Sequence, residues 1–453
     1  MKLTKSDKYT ENYAAVVVEI DNLSKHPNAD KLMVFEYAGG NVITGTNAQI
    51  GDKVVYFPIE SSLNSEFVSF ANLFDDPTLN ADGTSKGFFS EKGRRRVKPI
   101  RLRGIPSEGF IFPVNKLAEF YKVNPSIFKV GESFDSVGDK ILLEKWVSGA
   151  KPTEQSIKKV RLPAWAQKLP RPIRKFIGNR FYNKKDDGIK SNIVAGQFNF
   201  HYDTNNFGKS FFVLNPEDDI TISDKWHGTS AIFANILCYK QKKWWEKLFR
   251  VSVDKLSKEY RLIYSSRSVI KNRRDGKYTE DPWGKWAEII ESKNIGPGIT
   301  LYGEIVGYVN ESKMIQKGYC YGYDRGKNGL HVYRITKTDQ FGKIVEYSFK
   351  EIQKFCNDFE LNTTPVFYQG LAKDLFPEIE INEEWNKEFL KKLSEKYLEG
   401  DCPYCRNKVP AEGVVLKIES KETRPVFKHK SFAFKSRESA DRDKGEVNLE
   451  EES

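Results

Sequence analysis

Lys225, in the run Lys225-Trp226-His227-Gly228, closes the strand-like stretch Ile220-Thr221-Ile222-Ser223-Asp224, and an ordered series of chemically capable residues follows it. The series is Ser265-Ser266-Arg267, Leu301-Tyr302-Gly303-Glu304, His331-Val332-Tyr333-Arg334, Glu412-Gly413-Val414-Val415-Leu416-Lys417 and Phe427-Lys428-His429-Lys430. A lysine amine attacks an electrophile only when neutral, and with an ordinary pKa of about 10.4 it is almost wholly protonated at neutral pH. Nearby cations or a bound metal would favour the neutral form; a shift of about 3 units corresponds to roughly 4 kcal/mol. Lys428 and Lys430 are two residues apart, so on a strand both point to one face and can reach the same phosphates. One Lys-x-x-Gly or one Lys-x-Lys arises often by chance. The ordered set carries the weight.

Taken together, these runs resemble the motif set of the covalent nucleotidyltransferases, the superfamily of ATP-dependent ligases and mRNA-capping enzymes, over roughly residues 196–440. The resemblance implies that Lys225 is the nucleophile that accepts AMP from ATP. It implies a nucleotide site built from Asp224, Lys225, Gly228, Arg267, Glu304, Tyr333, Glu412, Lys428 and Lys430. Glu304 and Glu412 are then expected to hold ribose hydroxyls and Mg²⁺ or Mn²⁺, Glu412 being the better metal candidate because magnesium takes oxygen ligands. Arg267 would meet phosphate or the 3′-hydroxyl strand, and Tyr333 would stack on adenine. Lys428 and Lys430 would stabilise charge on the α-phosphate during transfer, with Lys417 adding to the same pocket. Relatives that join DNA or cap mRNA usually carry aspartate two residues after the lysine. This chain has His227, continued as Thr229-Ser230, which is similar to the RNA ligases that seal nicks in duplexes. His227 is therefore expected to matter when AMP moves to the 5′-phosphate; a buried structural histidine is the alternative. Arg334 stands where some relatives carry an acid. Ile315 to Gly322 resembles a family-specific loop to which no chemistry is assigned.

The chain of 453 residues exceeds what one hydrophobic core usually serves, so two domains and linkers are expected. No apolar run approaches the ~20 residues of a membrane span, and Met1 to Asp7 is too polar for a signal peptide. Five scattered cysteines suit free thiols in a reducing, intracellular compartment. Cys402-Pro403-Tyr404-Cys405 has the spacing of half a zinc site, but one pair cannot complete a tetrahedron. Net charge is +11, and residues 151–190 hold twelve Lys or Arg against three acids, a local excess of +9. Such a field attracts polyanions. Interleaved Trp165, Phe176, Phe181 and Tyr182 favour nucleic acid over a merely solvated linker.

Residues 13–115 read as short strands at Ala14–Ile20, Leu32–Tyr37, Val42–Thr44, Lys53–Pro58, Arg96–Arg103 and Gly109–Val114, a pattern of a small barrel or sandwich. His26-Pro27-Asn28-Ala29-Asp30-Lys31-Leu32, with Gly51-Asp52-Lys53, resembles the tRNA-binding type of OB-fold. Arg94, Arg95, Arg96, Lys98, Arg101 and Arg103 would then line an RNA-facing strand or stand as ordinary exposed residues. Prolines 152, 163, 170 and 172 break the basic stretch into a linker. Beyond Ser191, strands at Phe211–Leu214, Ala231–Leu237, Thr300–Val306, Leu330–Thr336 and Gly413–Ile418 alternate with helical patterns at Trp283–Ser292 and Glu383–Tyr397. Lys240 to Arg250, with Trp244-Trp245, is a candidate substrate grip or a packed hairpin.

The expectation is an α+β protein. Residues 1–145 would form an all-β OB barrel and 146–195 a basic linker. Residues 196–440 would be a nucleotidyltransferase domain of antiparallel sheets flanked by helices, and 441–453 a disordered charged tail. An upstream OB module with no room for another after Lys430 resembles the RNA ligase family typified by the Deinococcus enzyme. ATP and a divalent cation, RNA or RNA-containing nicked duplex, no membrane and a monomeric state go with that reading. A DNA ligase, an RNA guanylyltransferase and a non-catalytic RNA-binding protein are the alternatives.

Overall fold

The computed structural model describes residues 1–147, 192–240, 257–271 and 281–445. The basic linker and most of the Lys240–Arg250 insert lie outside the described residues, as does the end of the expected tail.

The architecture is mixed helix and sheet. In the N-terminal part, the strands Phe110–Pro113, Lys53–Phe57, Ala15–Glu19 and Ser133–Phe134 pair in that order as an antiparallel sheet, and Ser24–Lys25, Leu32–Tyr37 and Gly40–Gly45 form a second. Alternation places Val17, Val55, Phe57 and Phe112 in one core and Val18, Val54, Tyr56 and Ile111 in another on the opposite face. The described strands pair into separate sheets, with no barrel closure. The His26–Leu32 turn is structural. His26 is buried, its Nδ1 accepting from the Asn28 N–H (3.1 Å) and its Nε2 bonded to the Leu102 carbonyl (3.1 Å).

The expected cationic strand is not one strand. Only Ile100–Leu102 is extended, and Arg94, Arg95 and Arg103 have left-handed backbone. Arg96 is buried between Glu60 and Asp443, Lys98 pairs with Asp443, and Arg101 lies over Phe432. Three of these six cations are thus turned toward the helix Phe432–Asp443.

Two sheets make the second part. One orders Asn205–Asn206, Val426–Lys430, Gly413–Ile418, Asp219–Asp224 and Val366–Leu371; the other orders Lys258–Ser265, Thr229–Tyr239, Ile299–Gly307, Asn328–Thr338 and Ile344–Glu346. In the first, Ile220, Ile222, Val414, Leu416, Ile418 and Phe427 face a core completed by Trp385, Phe389 and Leu393 of the helix Trp385–Tyr397. The alternate residues Thr221, Ser223, Val415, Lys417, Lys428 and Lys430 line a cavity. The second sheet buries Ala231, Phe233, Leu301, Ile305, Leu330 and Val332 beneath the helices Pro282–Lys293 and Phe349–Asp358. The cavity therefore sits on the polar faces of strands whose apolar faces are the core.

Two expectations are corrected. Phe211–Val213 is a 3₁₀ turn: it continues the Phe207–Ser210 helix, whose N-cap Asn206 accepts from the Gly208 N–H, and Phe212 stays exposed. A short apolar run does not separate strand from helix. The tail expected to be disordered from residue 441 is still helix as far as Asp443, within Phe432–Asp443, because Arg442 and Asp443 find partners there.

Candidate active site

The cavity, about 660 Å³, is lined by Lys225, His227, Arg267, Glu304, Tyr333, Glu412, Lys417, Lys428 and Lys430 together with N-terminal residues. Lys225 leaves the end of its strand with its N–H donating to the Gly413 carbonyl (2.9 Å), which ties it to the strand bearing Glu412. Its Nζ lies 2.7 Å from Glu412 Oε1, and Lys430 Nζ lies 3.0 Å from the same oxygen. Burial would raise the Glu412 carboxyl, but Lys225 and Lys430 outweigh it and hold the group below its usual range. The expected gathering of cations around Lys225 thus has a carboxylate set between them. Glu412 Oε2 is buried without a hydrogen-bond partner, 4.0 Å from His227 Nδ1. Such an oxygen suits a divalent cation held by one or two carboxylates plus phosphate. Glu304 is another carboxylate of the cavity, its Oε1 accepting from the Gly228 N–H at 3.0 Å.

Gly228 is required by space. A Cβ there would stand 2.4 Å from the Ile305 carbonyl oxygen and 2.8 Å from Glu304 Cγ. His227 is half-buried edge-on between Tyr319 and Phe434, and desolvation, opposed by Glu412, lowers its imidazole to about 4, so it is neutral at pH 7. The Ile315–Gly322 loop braces this corner. Gln316 donates to the Gly228 carbonyl (2.6 Å), the His227 N–H donates to the Tyr321 hydroxyl (2.6 Å), and Tyr321 stacks on Trp226 at 4.4 Å. Trp226 in turn donates its indole N–H to Asp224 (2.9 Å). Asp224 pairs through its side chain within the brace and also lines the cavity.

Beside Tyr333, another residue lining the cavity, the register between Ile299–Gly307 and Asn328–Thr338 shifts. Tyr302 pairs with Arg334 and Gly303 with Val332, leaving Tyr333 as the extra residue of a bulge that re-aims it. His201 approaches Tyr333 at 5.3 Å. Arg334 makes a forked pair with Glu346 and covers Tyr302 and Tyr202 at 4.4 and 4.7 Å, so the basic residue at this position has its own partners. Lys417 donates to the Tyr347 carbonyl and stands 3.9 Å from Glu419.

Asp203 was not singled out from the sequence. It accepts from Lys428 at 2.8 Å and pairs with Arg267 at 3.5 Å, holding together two cations expected to meet phosphate. Burial lowers Lys428 to about 8, with Asp203 opposing. Glu438 was also missed; it stands 3.5 Å from Lys430 and is held at about 2, where Lys430 and Arg442 overcome the effect of burial. Neither lies in a recognisable motif, and only the charge of the 436–443 run hinted at the second. Cys402 and Cys405 are free thiols packed beside Trp226, and no cluster of three or more His, Cys, Asp or Glu able to hold a metal occurs among the described residues.

Residues 218–433 match the model of the family described as RNA ligase. No curated protein matches the chain. Among solved structures, the Naegleria gruberi RNA ligase is similar in several variants. One with AMP and Mn has a TM-score of 0.55 at 14% identity, covering 93% of this chain and 98% of that one. Another with ATP and Mn has a TM-score of 0.54 at 15% identity, covering 94% and 98%. At such identity the likeness establishes a shared fold. With about half of its cavity lining supplied by the segment that matches the RNA ligase family, on a fold shared with an RNA ligase over nearly the whole chain, this protein is an enzyme of the RNA ligase kind.

Proposed function

We propose that the enzyme joins a 3′-hydroxyl RNA end to a 5′-phosphate at nicks in duplexes, using ATP and Mg²⁺ or Mn²⁺. The observation that carries this reading is Lys225 and Lys430 sharing one oxygen of Glu412 inside a cavity that also holds Tyr333, Arg267 and Lys428. ATP and Mn in the Naegleria structures support the cofactor assignment. His227 in place of the aspartate of other branches supports RNA over DNA.

Lys225 Nζ, as a neutral amine, forms a bond to the α-phosphorus as the bond to pyrophosphate breaks, and the amine proton leaves to solvent. A 5′-phosphate oxygen then takes the adenylyl group as the phosphorus–nitrogen bond breaks and the lysine regains its proton; His227 acts at this step. The 3′-hydroxyl finally attacks the 5′-phosphate, loses its proton and releases AMP. Glu412, with Glu304, would hold the divalent cation, which supplies positive charge beside the transferring phosphate. Glu412 engaged in that way would no longer hold the Lys225 amine in an ion pair. Lys428 and Lys430 face the same phosphate from adjacent positions on one strand face. The N-terminal module is taken as OB-type and the Lys151–Lys190 stretch as its basic partner in gripping nucleic acid, as in the Deinococcus-type ligases. The protein is taken to act as an intracellular monomer.

Incubation with α-labelled ATP should place label on Lys225, reversible by pyrophosphate and absent in Lys225→Ala. Nicks whose 3′-hydroxyl strand ends in ribose should be sealed much faster than those ending in deoxyribose. Labelling by GTP but not ATP would make the protein a guanylyltransferase, and equal rates on both sugars would remove the RNA preference.

A further inference from the structure

The short turn Glu11–Tyr13 belongs to the N-terminal module, yet it is built into the wall of the catalytic cavity. Lys209, from the Phe207–Ser210 helix, donates its ammonium to the carbonyls of Glu11 (3.2 Å), Asn12 (3.1 Å) and Ala14 (3.2 Å). Asn12 donates to Asp203 Oδ2 (3.1 Å) and the Thr204 carbonyl (3.0 Å), and accepts from the Asn206 N–H (2.9 Å). Six bonds therefore fix this turn against residues 203–209, and its last residue, Tyr13, lines the cavity. Lys145, from the same module, places its ammonium 5.2 Å from the centre of the Tyr13 ring.

Several aromatic residues line the cavity, Tyr333 and Tyr13 among them. Tyr333, beside His201, stands where the adenine of the donor is expected. From Lys225 the contacts run through Glu412 and Lys430 to Glu438, Arg442 and Glu60, and the charges of Asp203, Lys430, Arg442 and Glu438 act on the hydroxyl of Tyr13, which lines the same cavity. A two-substrate reaction needs a place for the second strand. Its 5′-phosphate must reach the phosphorus held by Lys428 and Lys430, so the nucleoside carrying that phosphate lies within one phosphodiester of them. An aromatic face flanked by a lysine is the ordinary means of holding an unpaired or frayed base together with its phosphate.

We infer that Tyr13 and Lys145 form the subsite for the nucleotide bearing the 5′-phosphate, with its base stacked on Tyr13 and its backbone phosphate facing Lys145. This rests on the ligase reading above. The test uses the full chain and a nicked RNA duplex carrying a pre-adenylylated 5′-end. Tyr13→Ala should raise KM for that substrate about 5- to 100-fold, the loss of one base–aromatic stack, with kcat within about threefold; Tyr13→Phe and Tyr13→Trp should restore it. An abasic sugar at the 5′-terminal nucleotide should raise KM similarly for the unaltered enzyme and add nothing further in Tyr13→Ala. The abasic arm needs no variant, so it decides the matter even if Tyr13→Ala fails to fold. An unchanged KM with the abasic substrate, or additive effects of base and ring removal, would overturn the inference. A loss confined to lysine labelling by ATP would move Tyr13 to the donor site and overturn it equally. Absence of any lysine label in the unaltered enzyme would instead defeat the ligase reading.

Discussion

At the scale of single residues, the site is a set of ionisable groups whose states are set by burial and by one another. Lys225, Glu412 and Lys430 make a cation–anion–cation row, continued by Glu438 and Arg442. Asp224 stands outside this row, and burial raises its carboxyl to about 6, opposed by the Trp226 indole. With a folded-state pKa above its ordinary value of 3.8, the native protein binds more protons than the unfolded chain between about pH 4 and 6. The contribution of Asp224 to stability thus worsens as pH rises through this window. Asp224→Asn should be more stable than the unaltered protein at pH 7.5, by about 3 kcal/mol, with the difference shrinking below pH 6 and gone near pH 4. Melting curves across this range check it; a gap that does not vary with pH would show that ionisation of Asp224 is not its source.

At the scale of elements, the strands were the most legible part of the sequence. Leu32–Tyr37 and Gly413–Ile418 fall where their apolar and β-branched runs place them, and Ile220–Asp224 extends by one residue to Asp219. The helices read at 283–292 and 383–397 appear as Pro282–Lys293 and Trp385–Tyr397. Phe211–Val213 was misread because local hydrophobicity does not report the Asn206 cap that starts a helix just before it. The residues that line the cavity from the ordered motifs were legible because each motif couples an apolar strand face to a polar one. Asp203, Tyr13 and Lys209 were not, because their roles arise from packing between segments roughly two hundred residues apart, and Glu438 was not, because its pairing with Lys430 needs the helix to fold back beside the strand it follows. The Ile315–Gly322 loop was visible as a distinctive run, but its bracing of His227 through Tyr321 depends on a long-range contact. Gly228 joins the two levels. Gly228→Ala should force the Ile305 carbonyl or the Glu304 side chain to move and should cost roughly 1–3 kcal/mol, together with most lysine labelling. Denaturant unfolding and the labelling assay check both; an unperturbed variant would mean that the corner yields without loss.

At the scale of the whole molecule, the two parts are joined by ionic contacts around one helix. Glu60 accepts from the buried Arg96 at 2.5 Å and from Arg442 at 2.7 Å, Asp443 pairs with Arg96 and Lys98, and Lys435 meets Glu108. Glu60→Ala leaves two guanidinium groups short of their partner. It should destabilise the protein by about 3–5 kcal/mol, as breaking a buried pair does, measured by urea unfolding. A change below about 0.5 kcal/mol would assign the joining to the remaining contacts. The helix Phe432–Asp443, which carries these contacts, directly follows the strand bearing Lys428 and Lys430 and returns to residues made nearly four hundred positions earlier. A growing polypeptide that has emerged from the ribosome only as far as Lys430 would have every motif residue but neither Glu438 nor Arg442 beside it. The cavity is thus completed only when synthesis has passed the strand bearing Lys428 and Lys430, and a prematurely halted chain would carry Lys225 in an unfinished vessel.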